Sequence, residues 1–236
     1  MGRIFEKRKY KMFARYDRMA KAFTRAGKEI AIAVRLGGPN PEYNPRLRMA
    51  IQNAKAVNMP KDRIEAAIKR AAAKEEADLE EVTYEAYAPH GVALVIEAAT
   101  NNPTRTVANI RSYLNRAGGS LTKTGSLDFI FDRKGVFKLQ NNNLDLETLE
   151  LELIDFGLEE LGHDEEGNII IYSAFTDFAN MQKALEDRKI EVISAEIQRI
   201  PNTFVELPEA QENEVLELIE KLESDDDVQN VYHNLK

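Results

Sequence analysis

Between Asn44 and Lys74 the chain reads NPRLRMAIQNAKAVNMPKDRIEAAIKRAAAK, and two prolines divide this stretch into a tightly joined pair of helices. Pro45 and Pro60 each suit a first helical position, where the missing N–H costs nothing and the fixed φ already matches the helix. Leu47, Ala50, Ile51, Ala54 and Val57 form an apolar stripe at helical spacing on the first segment. Ile64, Ala67, Ile68 and Ala71 form one on the second. The stripes need a shared core, while Arg46, Arg48, Lys55, Lys61, Arg63, Lys69, Arg70 and Lys74 point outward against only Asp62 and Glu65. Such a surface attracts polyanions.

A third helix to complete that core is written upstream. From Arg3 to Val34, Met12, Tyr16, Met19, Phe23, Ala26, Ile30 and Ala33 recur at alternating steps of four and three, the seam of a helix packed on other helices, with a break expected near Gly27. Its flanks carry a basic run that includes Lys9 and Lys11, interleaved with Phe5, Tyr10, Phe13 and Tyr16. Aromatics beside cations are able to stack on exposed bases, although at this spacing several belong to the seam. Arg35-Leu36-Gly37-Gly38-Pro39-Asn40-Pro41 then ends the helix in a rigid loop.

Charge divides the chain at the same place. Residues 1–74 hold 19 Lys and Arg against 6 Asp and Glu, whereas the remainder holds 13 against 34, so the formal net charge of −8 conceals a strongly basic first third. That asymmetry points to a nucleic-acid partner for the basic part. No apolar run approaches the roughly 20 residues that span a bilayer. There is no signal-like leader and no cysteine, which leaves no disulfide framework, thiolate zinc site or thiol nucleophile. A soluble cytoplasmic protein is expected.

Beyond residue 78 the pattern changes to α+β. Strands are expected at 82–87 and 92–99 around the turn Ala88-Pro89-His90-Gly91, followed by a helix capped by Asn102 and opened by Pro103. A strand at 127–131 is expected to return, extended by 136–139 past a bulge at Gly135. Residues 145–166 contain ten acids and no Lys or Arg. They open an insert of helix, two short strands, a helix over 177–188 and a strand over 192–200. A strand at 204–207, a helix over 208–222 and a strand over 228–232 then complete a β-α-β-β-α-β pattern. The expected domains are 1–76, basic and helical; 78–139 with 201–236, a discontinuous α/β domain; and 140–200, an acidic α/β insert.

Catalytic signals are lacking. His90, His163 and His233 stand far apart without metal-ligand spacing, and Gly-Gly at 37–38 and 118–119 lacks the spacing of phosphate-cradling loops. Thr122-Lys123-Thr124-Gly125-Ser126 has backbone donors that suit a phosphate, and it equally suits a loop entering a strand. Asp225-Asp226-Asp227 reads as a polar turn. No enzyme, metal or cofactor is expected.

The run VRLGGPNPEYNPRLRMAIQNAKAVNMPKDRIEAAIKRA, followed by YEAYAPHGVALVIEAATNNPTRTVANIRSYLNRAGGSLTKTGSLDFIF, resembles the YebC family of bacterial regulatory proteins, related to the mitochondrial translational activator of cytochrome c oxidase. The elements LGG, NPRLR, NMPKD, IKRA, TNN and GGSL occur in the family's order over nearly the whole chain. One departure lies at the start, where Phe5 falls near the family's tryptophan and Lys9-Tyr10-Lys11-Met12 near its basic tetrad. The resemblance implies a three-domain protein that acts in gene expression without catalysis. Two readings stay open: a ribosome-associated factor, set against rRNA, that helps translation through proline-rich sequences, and a DNA-binding transcriptional regulator. The first is favoured as a monomer without membrane contact. Nucleic-acid contacts are expected from Lys9, Lys11, Arg46, Arg48, Lys55, Met59, Lys61, Lys69 and Arg70, with Met59 and Lys61 at the apex of the helix pair as a functional tip, where Met59 is exposed unless it folds back onto the bundle.

Overall fold

The computed structural model describes residues 3–73, 78–142, 144–164 and 166–236, with side chains from residue 19 onward. Helix α1 (Arg3–Gly37) runs without a break through Gly27, where no neighbouring chain approaches. Helices α2 (Pro45–Ala56) and α3 (Lys61–Ala72) follow. Pro45 is the first residue of α2, and the Asn44 side chain caps it by accepting from the Leu47 N–H at 3.0 Å. Pro60 stands one residue before α3 instead of opening it, in extended conformation after a left-handed Asn58. Its carbonyl accepts from Arg63 and Ile64.

The α+β architecture continues with β1 (Glu80–Tyr87), β2 (Ala93–Thr100), α4 (Pro103–Ala117), β3 (Ser120–Leu121) and β4 (Phe131–Leu139). Next come α5 (Leu146–Leu153), β5 (Leu158–His163), β6 (Ile169–Ala174), α6 (Phe178–Asp187) and β7 (Val192–Pro201), and α7 (Glu209–Glu223) and β8 (Val228–His233) close the chain. Two sheets form, ordered β3-β1-β2-β8 and β5-β6-β4-β7. The chain groups into two compact units, one of residues 1–82, 97–113 and 219–230, the other of residues 83–96, 114–218 and 231–236.

In the first unit the three helices share a core. Ile30, Ala33 and Val34 of α1 pack with Leu47, Ala50 and Ala54 of α2 and Ile64, Ala67 and Ala71 of α3. All but Val34 are expected stripe positions, whereas Val57, also expected, caps α2 and is exposed. Each fully buried leucine or isoleucine contributes roughly 1.5–3 kcal/mol over its exposed state. Alanines at five of these nine positions let the helices approach closely, with the larger Ile, Leu and Val side chains filling the space between them.

The second unit corrects the strand reading. β4 does not close the first sheet past a strand at 127–131. It is a central strand of the second sheet, paired antiparallel with β6 over six residues and with β7 over nine. Leu127 and Ile130 lie in turns and bury their side chains with Ala93, Val95 and Phe131. The second sheet therefore takes a strand from upstream of residue 140. Gly135 is not a bulge; it sits opposite Ser173, and the register shift falls at Lys138/Leu139. A Cβ on Gly135 would lie 2.5 Å from Ser173 Oγ and 2.6 Å from the Phe178 ring, which stacks on Phe137 with centroids 4.8 Å apart. The expected strand at 204–207 is reduced to one bridge, Val205 to Leu235.

Many acids after residue 145 have partners in the second unit. Lys138 bonds Asp164 at 2.7 Å and Glu166 at 2.9 Å, Lys134 bonds Glu159 at 3.0 Å, and Arg188 bonds Glu152 at 2.9 Å. The Lys138 hydrogen bond, against the opposing effect of burial, holds the Asp164 carboxyl well below the usual carboxylate range.

Candidate nucleic-acid interface

Packing the stripes inward leaves α2 and α3 with a cationic exterior. Lys55, Lys61, Arg63, Lys69 and Arg70 are all exposed. Lys61 lies 3.6 Å from Glu65 one turn on, an exposed pair worth at most about 0.5 kcal/mol and easily exchanged for a phosphate. The Arg63 guanidinium lies 5.7 Å over the Phe23 ring of α1. Lys9 and Lys11 fall on the backbone of α1, and their side chains, like Lys74, lie outside the described residues.

Two expected contact residues are committed elsewhere. Arg48 Nη1 donates to the carbonyls of Pro41 at 2.9 Å and Glu42 at 3.2 Å, so it braces the loop before α2. Arg46 donates to Glu81 at 2.6 Å, with both side chains partly exposed.

Met59 is a correction. It is not an exposed tip but is 8 % exposed and belongs to the core of α1, α2 and α3. Left-handed Asn58 turns the chain so that the Met59 N–H reaches the Ala54 carbonyl at 2.9 Å, which folds the thioether back under the joint. Met59→Ala is accordingly expected to cost about 2–3 kcal/mol, read as a loss of several degrees in melting temperature. A melt unchanged within 1 °C would contradict the burial. Lys61 keeps its exposed place.

The basic run of α1 divides in a way that spacing does not reveal. Arg25 donates to the Glu223 carbonyl at 3.0 Å. Lys28 Nζ donates to the carbonyls of Ala99 and Asp226, both at 2.7 Å, and to Asp227 Oδ1 at 3.1 Å. The other oxygen of Asp227 accepts from Arg105 at 2.7 Å, Thr106 at 2.9 Å and Thr100 at 3.1 Å. Asp225 accepts from Asn109 at 3.1 Å and Tyr113 at 3.0 Å. The Asp225-Asp226-Asp227 turn is thus the hub that fixes α1 to α4, more than a polar turn. Burial raises the Asp227 pKa, but bonds from Arg105, Thr106 and Lys28 outweigh it and hold the carboxyl at about 2.

The loop at 122–126 already holds an anion. Buried Glu85 accepts from the N–H of Gly125 at 2.7 Å and of Leu127 at 2.8 Å, so these donors face a carboxylate of the same chain. His90 Nε2 lies 2.8 Å from Glu214 Oε2. Among the described residues no group of three or more His, Cys, Asp or Glu is placed to hold a metal ion, and no helix is long and apolar enough to cross a membrane.

A cationic three-helix unit followed by antiparallel α+β sheets, with acids concentrated in the latter, defines the class of this molecule. Within that class, the chain belongs to the TACO1/YebC family. The family's N-terminal domain matches residues 3–74, and its second and third domains match residues 79–235. A relative from Cytophaga hutchinsonii, named a probable transcriptional regulatory protein, is 60% identical over 236 residues, covering 100% of this chain and 98% of its own. One of the same name from Anaeromyxobacter dehalogenans is 54% identical over 239 residues, covering 100% of both. The crystal structure of a conserved hypothetical protein from Aquifex aeolicus superposes with a TM-score of 0.78 at 38% identity, over 92% of this chain and 90% of that one.

Proposed function

We propose that the chain is a non-catalytic, nucleic-acid-binding regulator of gene expression that holds phosphates on the exterior of α2 and α3. The observation that carries this reading is the exposure of Lys55, Lys61, Lys69 and Arg70 on a unit whose apolar faces are already buried. Transcription is the first level to test, in line with the names of the relatives, with duplex DNA as ligand. The domains that serve it are 1–76 for binding, 78–130 with 202–236 as a discontinuous α/β domain, and 131–201 as the insert.

A second reading, action on structured RNA such as that of the ribosome, is favoured by a specific feature of α3. Asp62 and Glu65 are exposed in its first turns, beside Lys61 and Arg63. A recognition helix sets those turns against base edges in the major groove, where carboxylates accept only from cytosine N4 and are repelled by the flanking phosphates. Contacts to a backbone of irregular path avoid that conflict.

The test uses the full chain against duplex DNA and a structured RNA of equal charge. With four phosphates neutralised, affinity is expected to fall roughly 50- to 150-fold between 50 and 200 mM salt, following a slope of about −0.7 to −0.9 per phosphate. A change below about threefold would remove the electrostatic reading, and the tighter ligand at 150 mM salt selects the level of action.

A further inference from the structure

We propose that Tyr43 is a stacking platform for an unpaired nucleobase, displayed by a loop built to hold it still. The proposal rests on the nucleic-acid reading and deepens it by naming the part of the ligand that the loop takes.

Tyr43 is 81 % exposed, the most exposed large apolar side chain among the described residues. A lone exposed tyrosine on a loose loop would carry no weight. Here the backbone on both sides of it is pinned. On one side, the Pro41 and Glu42 carbonyls accept from the Arg48 guanidinium, and the Glu42 N–H donates to Asn40 Oδ1 at 2.9 Å. On the other, Asn44 is buried, with its side-chain amide donating to Ala33 O at 2.7 Å and Gly38 O at 2.8 Å. The fit around Asn44 is close enough that a Cβ on Gly37 would lie 2.7 Å from it. The ring therefore has only its own two torsions left to lose on binding.

Chemistry around the loop selects the ligand. Arg35, Arg46 and Arg48 near the loop are bonded to Asp78, Glu81 and the Pro41 and Glu42 carbonyls, while the exposed exterior of the same helical core carries Lys55, Lys61, Lys69 and Arg70. On the nucleic-acid reading that exterior holds the phosphates, and a flat, exposed ring on the same helical core matches a base of the same ligand. A duplex keeps its bases stacked inside, so the platform serves a single strand, a loop or a bulge.

Three variants of the full chain test this against a 20-nucleotide single strand and a blunt duplex of equal charge. Tyr43→Ala is expected to weaken single-strand binding about 5- to 100-fold and leave the duplex within twofold. Tyr43→Phe keeps the ring and is expected to stay within twofold on both. The chain has no tryptophan, so Tyr43→Trp places a lone reporter in the loop. Its emission is expected to be quenched by the single strand and unchanged by an abasic strand of the same length. Equal single-strand affinity for Tyr43→Ala and the unaltered chain overturns the platform while leaving the regulator reading intact. An unaltered chain that binds neither probe at 50 mM salt overturns both.

Discussion

With Asp227 replaced by alanine, the protein is expected to melt roughly 6–12 °C lower, from a loss of about 3 kcal/mol. Asp227 is 7 % exposed and its carboxylate collects bonds from Lys28, Arg105, Thr106 and Thr100, so its removal leaves a largely buried ammonium with only carbonyl acceptors and two buried hydroxyls each short of a partner. Breaking a fully buried pair costs about 3–5 kcal/mol. The lower end applies here because the Arg105 side chain is half exposed and water will solvate it. Acid gives an independent reading of the same hub. The folded carboxyl titrates at about 2, below its ordinary 3.8, so its stabilisation is fully present above pH 4 and is lost as pH falls toward 2. At about 1.4 kcal/mol per pKa unit, that loss is about 2 kcal/mol. Urea unfolding at pH 7, 4, 3 and 2.5 is expected to show this acid limb in the unaltered chain and a flatter one in Asp227→Asn. A melt within 2 °C of the unaltered chain for Asp227→Ala would show that α1 is held by other contacts.

This hub marks the limit of what spacing along a chain reveals. The stripes on α2 and α3 and the start of α2 at Pro45 are local patterns, set by residues three or four apart, and apart from Val57 they appear in the fold where the sequence places them. Lys28 and Asp227 are 199 positions apart, and neither sits in a periodic context that distinguishes it from solvated neighbours. The TNNPTR run carries a cap signal at Asn102, but nothing in it says that Thr106 and Arg105 face a distant aspartate. The fate of β4 was illegible for the same reason. A nine-residue strand with buried Phe131, Val136, Phe137 and Leu139 fits either sheet, and only the pairing with β6 and β7 decides between them. At Met59 the sequence leaves exposure and folding back both open, and left-handed Asn58, which turns the chain within one residue, decides for burial.

The second large effect is expected from charge. Reversing Lys55, Lys61, Lys69 and Arg70 to glutamate together should lower nucleic-acid affinity about 1,000-fold at 150 mM salt and reduce the salt slope by about three to four. All four side chains are exposed, so folding bears little of the change. The Lys61–Glu65 pair is lost and replaced by a like-charge pair one turn apart, at about 0.3–0.5 kcal/mol. Glutamates at 69 and 70 face the negative end of α3, which adds a few tenths more at such exposed positions. A control with equal charge separates a local surface from net charge: Arg111, Arg116, Lys123 and Lys183 are also exposed but lie outside α1, α2 and α3, and their reversal to glutamate is expected to change affinity less than tenfold. Both variants lower the net charge by eight, so long-range repulsion of the ligand is comparable and only the contacts differ. If the two sets lose affinity equally, the chain repels polyanions by total charge and the exterior of α2 and α3 holds no ligand. If only the control set loses it, the binding surface lies on α4, the 122–126 loop or α6, outside the basic helices.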